Sequence, residues 1–374
     1  MTKKLDLGIT PPSDEEMAKV EARIQAEQQA DERRDARERV RRADLERRRP
    51  AIERALKAYR KIDDPDVTEV RIRTGFIRTD DPRRTAPLTK GYSLAAEVES
   101  RPPMTRLVER RRHSLQLMMT MIFVARLEAS PGQRFVNQHP NITPRGIQES
   151  WLTLAGLKHP VSPTERRGQR RMFNTAIDGL LTHDLVALTG TAGQAGRYRG
   201  FALQAEDGSR TPYTVPGEGL RRKDAIALSA DFFRQGWHLV LTDHELVTFL
   251  AIIDRTGYLR RVERSGLIHD MGVDLKEAVR YATYGLSGEA YNSIHMLDRF
   301  GLITVIDPML NRRNPTPAKF KTIPLSSGDD VSAEDDDDEK ADSNNRIPYR
   351  LIYPPVGGEI LTAALDTALD KLAI

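Results

Sequence analysis

Residues 162–205, SPTERRGQRRMFNTAIDGLLTHDLVALTGTAGQAGRYRGFALQA, decide the fold that the sequence predicts. The stretch opens with Ser162-Pro163-Thr164-Glu165, a capping box with proline at the first helical position, which is a strong helix start. Apolar residues then recur at helical spacing. Leu185–Leu188 predicts a strand, Thr189–Gly196 a glycine-rich turn and Arg197–Ala205 a returning strand. A helix followed by a β-hairpin is therefore expected.

Two more helices are predicted before this stretch. Leu115–Leu127 is strongly apolar. Thr143-Pro144 predicts the start of another helix, carrying Ile147, Trp151, Leu152 and Leu154. Three helices followed by a hairpin is the order of a winged helix.

The same order recurs near the C-terminus. Thr242-Asp243-His244-Glu245 is a second capping box, and Ser287 is expected to cap a helix over Gly288–Phe300. The other elements predicted here are a helix over Leu275–Tyr284, strands over Leu302–Ile306 and Tyr349–Tyr353, and an amphipathic helix over Ile360–Leu372.

Two segments resemble the winged-helix DNA-binding family. They are LLTHDLV at residues 180–186 and MLDRFGLI at residues 296–303. In that family an apolar pair ends the recognition helix, a short polar turn follows, and the first wing strand begins Leu-Ile or Leu-Val. Gly301 makes the second copy the closer match, since the helix needs a left-handed C-cap there. Tandem copies are similar to those of transcription regulators and of plasmid replication initiators.

The resemblance implies a mainly α fold with small β wings, built as two winged-helix domains preceded by a long charged helix. The expected division is a helical arm (1–63), a connecting segment (64–108), the first domain (109–216), a linker (217–236) and the second domain (237–374). The second domain includes an acidic, disordered insert at about 308–347 and the C-terminal helix.

Helix faces indicate which residues would meet DNA. In the first recognition helix Phe173, Ala176, Ile177 and Leu180 face inward at 100° per residue. The outward candidates are Thr164, Arg167, Arg171 and Asn174, with Arg170 at the edge, and Arg197 and Arg199 on the wing are candidate phosphate contacts. In the second copy, Ala290, Ile294 and Leu297 share the inner side. The candidates opposite them are Asn292, His295 and Arg299, with Ser287, Gly288, Arg312 and Arg313. The alternative for each helix is an ordinary solvated polar face.

Charge is spread unevenly along the chain. The whole sequence carries +4, and Asp329–Asp342 alone contributes −8, which leaves +12 for the rest. Arg33–Arg49 holds nine arginines against four acids, and Pro50 is expected to kink or restart the long helix. A basic body suits a polyanionic partner. The arm itself is open to three interpretations: a solvated helix, a phosphate-binding arm and a weak coiled coil.

Several classes of function are disfavoured by the sequence. The chain has no cysteine, which removes thiol nucleophiles and Cys-based zinc sites. His244-Glu245 begins a zinc-protease pattern, but Thr248 stands where the second histidine is required. We therefore expect no enzyme activity, no catalytic residue, no cofactor and no metal site. With no apolar run long enough to span a bilayer, no membrane partner is expected.

The expected function is sequence-specific binding of double-stranded DNA, as a transcription regulator in the cytoplasm, associated with the nucleoid. One alternative is a replication-initiation or partition protein of a plasmid or mobile element. A second alternative is a winged-helix protein-interaction scaffold. A second copy of the chain is a further candidate partner, through the N-terminal or the C-terminal helix.

Overall fold

The computed structural model describes residues 14–79, 101–110, 113–143, 146, 148–158, 162–191, 193–194, 196–198, 200–217, 224–262, 272–307, 348–354 and 361–373. These residues form mainly helices, with three small antiparallel sheets of two strands each. The coarse fold class predicted from the sequence is therefore confirmed. Among the described residues, no helix is both long and apolar enough to cross a membrane.

The long N-terminal helix, α1 (Asp14–Ile62), becomes part of the core along its second half. Leu45, Ile52 and Tyr59 are buried, and their spacing of seven residues puts them on one side of the helix. The sequence predicted that Pro50 would kink or restart this helix. The helix instead continues through Pro50 without a break. Pro50 lies on the exposed side, where water can bind the carbonyl that loses its helical partner.

The segments predicted as connector and linker pair with each other. Strand β1 (Glu69–Arg73) runs antiparallel to β4 (Ala225–Ser229), with Ile72 opposite Ile226. A short helix, α2 (Thr74–Ile77), follows β1, and its Phe76 and Ile77 are buried. The sequence predicted only modest structure here because the partner strand is distant in the chain.

The first repeat of the predicted order is present. It consists of α3 (Pro103–Arg110), α4 (Ser114–Glu128), α5 (Trp151–Leu154), α6 (Pro163–Thr182), β2 (Val186–Leu188) and β3 (Phe201–Leu203). The predicted start of this helix at Thr143-Pro144 is wrong. Helix α5 begins at Trp151, and the Ser150 hydroxyl caps it by accepting from the Thr153 amide at 3.2 Å. Pro144 and Ile147 lie outside the described residues. The Phe135 amide donates to the Tyr213 carbonyl at 3.1 Å. Such a short backbone contact, made by the segment after the first helix of a repeat, is called a rung below.

The second repeat follows two short helices, α7 (Ala230–Arg234) and α8 (Trp237–Val240). Its elements are α9 (Asp243–Val262), α10 (Glu277–Val279) continued by a π-helical turn (Arg280–Tyr284), α11 (Gly288–Asn292), α12 (Ile294–Arg299), β5 (Thr304–Ile306), β6 (Arg350–Ile352) and α13 (Ala364–Lys371). Val273 and Leu351 exchange two backbone hydrogen bonds of 2.8 Å, which adds a rung like that of the first repeat. Each repeat therefore runs helix, short rung, helix, helix and hairpin.

The predicted helix over Gly288–Phe300 is interrupted, which corrects the sequence interpretation. The Ser293 hydroxyl donates to the Ala290 carbonyl at 2.6 Å and also contacts the His244 carbonyl, so it competes with the helical backbone. The helix then ends as predicted, with Gly301 at φ +74°.

One continuous cluster of buried residues, from Leu45 to Leu372, connects the two repeats. Helix α1 packs against α5 of the first repeat and against α13. The division into separate domains stays a prediction, because α1 and the β1–β4 sheet contribute to this shared core.

Candidate nucleic-acid interface

Helix α6 is set in place by a cap and an apolar inner face. The Ser162 hydroxyl accepts from the Glu165 amide at 3.1 Å, which satisfies one of the free donors at the helix start. The inner residues Phe173, Ala176, Ile177 and Leu180 are all buried, as the helical spacing predicted. The opposite side of the helix must therefore face outward.

That outward side carries free cationic groups. Thr164, Arg167, Arg170 and Arg171 are exposed, and Asn174 is partly buried. In the part of the chain that the structure describes, no carboxylate lies within ion-pair distance of the three arginines, although ion pairs are common elsewhere on the surface. The guanidinium groups are available to an external anion.

The hairpin after α6 carries another candidate arginine. Arg197 lies at the far end of the wing, with its guanidinium carbon 5.3 Å from the centre of the Tyr198 ring. The two sides of the loop between β2 and β3 approach closely at Gly190, where a Cβ atom would stand 2.6 Å from the Arg197 Cα, so only glycine fits. Arg199 lies outside the described residues.

The second candidate surface is formed by α11 and α12. The Ser287 hydroxyl caps α11 by accepting from the Ala290 amide at 3.1 Å, and Gly288 follows in the first turn. Ala290, Ile294 and Leu297 are buried, as predicted. Asn292 and His295 are exposed, and the His295 ring lies edge-on to Tyr349 at 5.1 Å between centres. Arg312 and Arg313 lie outside the described residues.

Arg299, at the end of this surface, is held by the long helix. Its guanidinium lies 2.6 Å from the Glu38 carboxylate, whose side chain is only 9% exposed. The pair neutralises part of the Arg299 charge and restricts the positions that the guanidinium can adopt. Sequence reasoning missed the pair because it joins residues 261 positions apart.

A second ion pair fixes α1 beside the same repeat. Arg41 donates to both Glu245 oxygens, at 2.5 and 2.7 Å, and its guanidinium carbon lies 5.0 Å from the centre of the Phe300 ring. Glu245 also accepts from the Thr242 amide at 2.9 Å and so completes the predicted capping box. Part of the Arg-rich run therefore packs against the second repeat, and the run is not only a solvated face.

Burial shifts the pKa of two groups that are not among the candidate DNA contacts. Burial lowers the pKa of His238 to about 3, so this histidine is neutral in the core, where it contacts the Tyr59 hydroxyl at 3.0 Å. Burial raises the pKa of Asp243 to about 6, and the nearby Arg48 opposes that shift. Among the described residues, no three His, Asp or Glu side chains are grouped to hold a metal ion.

Comparison with known proteins gives no relative from which a role can be transferred. No family model matches the chain, and neither the curated proteins nor the solved structures contain a match. The functional argument must therefore come from the surfaces themselves.

Proposed function

We propose that this protein is a sequence-specific double-stranded DNA-binding protein, a transcription regulator, that holds its site through two winged-helix modules. The observation that carries the proposal is the outward side of α6. Arg167, Arg170 and Arg171 are exposed there, with no acid partner in the described residues. An unneutralised arginine cluster on one helix face suits the phosphates and guanine edges of a duplex.

The order of elements also supports this function. In winged-helix proteins, as in other helix-turn-helix proteins, the last helix before the hairpin enters the major groove. Here α6 holds that place in the first repeat, and α11 with α12 holds it in the second. The backbone contact of Val273 with Leu351 of β6 fits the small third strand of such a module.

The two modules would contribute different contacts. Arg167 and Arg171 would neutralise phosphates or donate to guanine, while Arg197 would reach a phosphate from the wing. Asn292, exposed on α11, can form a paired hydrogen bond with adenine. Affinity would then come mainly from the first module, and discrimination would come in part from the second.

The test is duplex binding measured over a range of salt concentrations. We expect Arg167→Ala and Arg171→Ala each to weaken binding about fivefold at 0.1 M salt and to make the log–log salt slope shallower by about 0.9, because one phosphate contact is lost. Arg54→Ala is the matched control, since Arg54 is an exposed arginine on α1, remote in sequence from the wing and recognition helices.

Equal effects of all three substitutions would mean that α6 is not the binding surface. A wild-type chain whose binding to random duplex does not depend on salt would exclude the proposal and would favour a protein-interaction scaffold. The target sequence would come from selecting the fragments of host DNA that the wild-type chain binds.

A further inference from the structure

Asp178 and Tyr198 join the first wing to the recognition helix. The Tyr198 hydroxyl donates to the Asp178 carboxylate and lies 2.7 Å from one oxygen and 2.9 Å from the other. This hydrogen bond, together with partial burial and the negative charge of Asp178, raises the pKa of Tyr198, so the phenol stays protonated. The contact is therefore present throughout the neutral pH range.

The place of Asp178 on α6 is unexpected for a DNA-binding helix. It follows Arg171 by seven residues and Asn174 by four, which puts it on the same outward side. A bare carboxylate there would repel the phosphates that the arginines attract. In this structure the carboxylate is instead occupied by the wing.

A second hydrogen bond also holds the part of the hairpin that contains Tyr198. The Asn141 side-chain amide donates to the Tyr198 carbonyl, so both the backbone and the ring of Tyr198 are fixed. Arg197 precedes Tyr198, and its guanidinium lies over the Tyr198 ring. Fixing Tyr198 thus restricts where the Arg197 guanidinium can go, because the arginine rests on an anchored ring.

We infer that Asp178 and Tyr198 are positioning residues, whose hydrogen bond locks the wing against α6 and so holds Arg197 beside the duplex that α6 binds. This inference rests on the proposed function. The partner it specifies is the sugar–phosphate backbone flanking the bases at α6, because Arg197 lies on the wing and not on the helix.

Removal of Asp178 separates this role from simple electrostatics, because the two predict opposite signs. If Asp178 only repels DNA, Asp178→Ala tightens binding. If it positions the wing, Asp178→Ala weakens binding to a random duplex about fivefold at 0.1 M salt and makes the salt slope shallower by about 0.9, although a negative charge has been removed. Arg197→Ala should give the same loss.

The double variant gives the decisive comparison. Asp178→Ala should weaken the wild-type chain but not the Arg197→Ala chain, since no phosphate contact then remains to be positioned. Tyr198→Phe keeps the ring and removes only the hydroxyl, and it should reproduce the loss even if Asp178→Ala is poorly folded. Asp370→Ala removes one exposed carboxylate from α13, outside α6 and its hairpin, and is the matched control that should not weaken binding.

Circular dichroism and thermal melting of every variant monitor the fold. Tighter or unchanged binding by a folded Asp178→Ala chain, or unchanged binding by Tyr198→Phe, with a wild-type chain that binds in a salt-dependent way, would overturn the positioning role alone. A wild-type chain without salt-dependent duplex binding would overturn the proposed function, and this inference with it.

Discussion

The two repeats share one order of elements but present different surfaces. Helix α6 is continuous, and its exposed arginines have no acid partner among the described residues. Helices α11 and α12 are interrupted at Ser293, expose Asn292 and His295, and have Arg299 paired with Glu38 of α1. The comparison teaches that a repeated topology does not imply a repeated role. The charge that each helix exposes depends on which of its side chains form ion pairs with other parts of the chain.

The difference originates in α1, which is fastened to the second repeat by Arg41 and Glu38. The first repeat has no such cover over the outward side of α6 in the described residues. Three substitutions test this contrast.

The largest effect is expected on stability, from breaking an ion pair that holds α1 against the second repeat. Arg41→Ala leaves the Glu245 carboxylate, whose side chain is 4% exposed, without its cation, and breaking a buried pair in this way costs about 3 kcal/mol. We expect the free energy of unfolding in urea to fall by about that amount. Arg47→Ala is the control, because Arg47 is 77% exposed and pairs with Asp44 on the surface, so its loss should cost less than about 0.5 kcal/mol. Equal destabilisation by both would mean that α1 does not brace the second repeat.

A smaller effect is expected on the discrimination between DNA sequences. Asn292→Ala should reduce the preference for the selected site over random duplex about tenfold, because an adenine pair contributes about 1–3 kcal/mol. Its affinity for random duplex should hardly change. Arg299→Ala should weaken the binding of both duplexes about equally. If Asn292→Ala leaves the ratio of the two affinities intact, the second repeat does not distinguish bases through this residue.

The smallest effect concerns the Glu38–Arg299 pair. Glu38→Gln keeps the shape of the side chain but removes the charge that holds Arg299, so binding to random duplex should tighten about threefold as one more cation becomes available. The gain should vanish in an Arg299→Ala chain. Glu53→Gln, which removes an acid that is 58% exposed on the same helix, controls for net charge. If both glutamine variants tighten binding equally, the Glu38 contact is not a restraint.

Signals carried by neighbouring residues could be recognised in the sequence. The caps at Ser162, Thr242 and Ser287 all form, because each needs only a hydroxyl and an amide a few positions apart. The left-handed Gly301 and the β2–β3 hairpin were predicted on the same local grounds, and the structure contains both. The pairing of β5 with β6 was predicted from the repeated order of elements, and the two strands do pair. The predicted inner faces of α6 and of α11–α12 are also buried.

Contacts between distant segments could not be recognised. Leu45 stands isolated within the charged run Arg33–Arg49, and none of the three interpretations of the arm placed this part of the helix in a core. The pairing of β1 with β4 joins the predicted connecting segment to the predicted linker, and no local pattern could identify these distant segments as partners. The candidate DNA contacts themselves stay predictions, because an outward side chain has the same spacing whether it meets water or a phosphate.

The packing of α13 against α1 has a consequence for how the protein is made. Arg49 and Asp366 are in contact although they stand 317 residues apart, and Leu365 and Leu369 complete the core near them. At a synthesis rate of about 5–20 residues per second, α1 waits roughly 15–60 s for this partner to leave the ribosome. During that interval the part of α1 around Arg49 is not yet packed against α13. The contact between the two helices therefore forms only after nearly the whole chain has been synthesised.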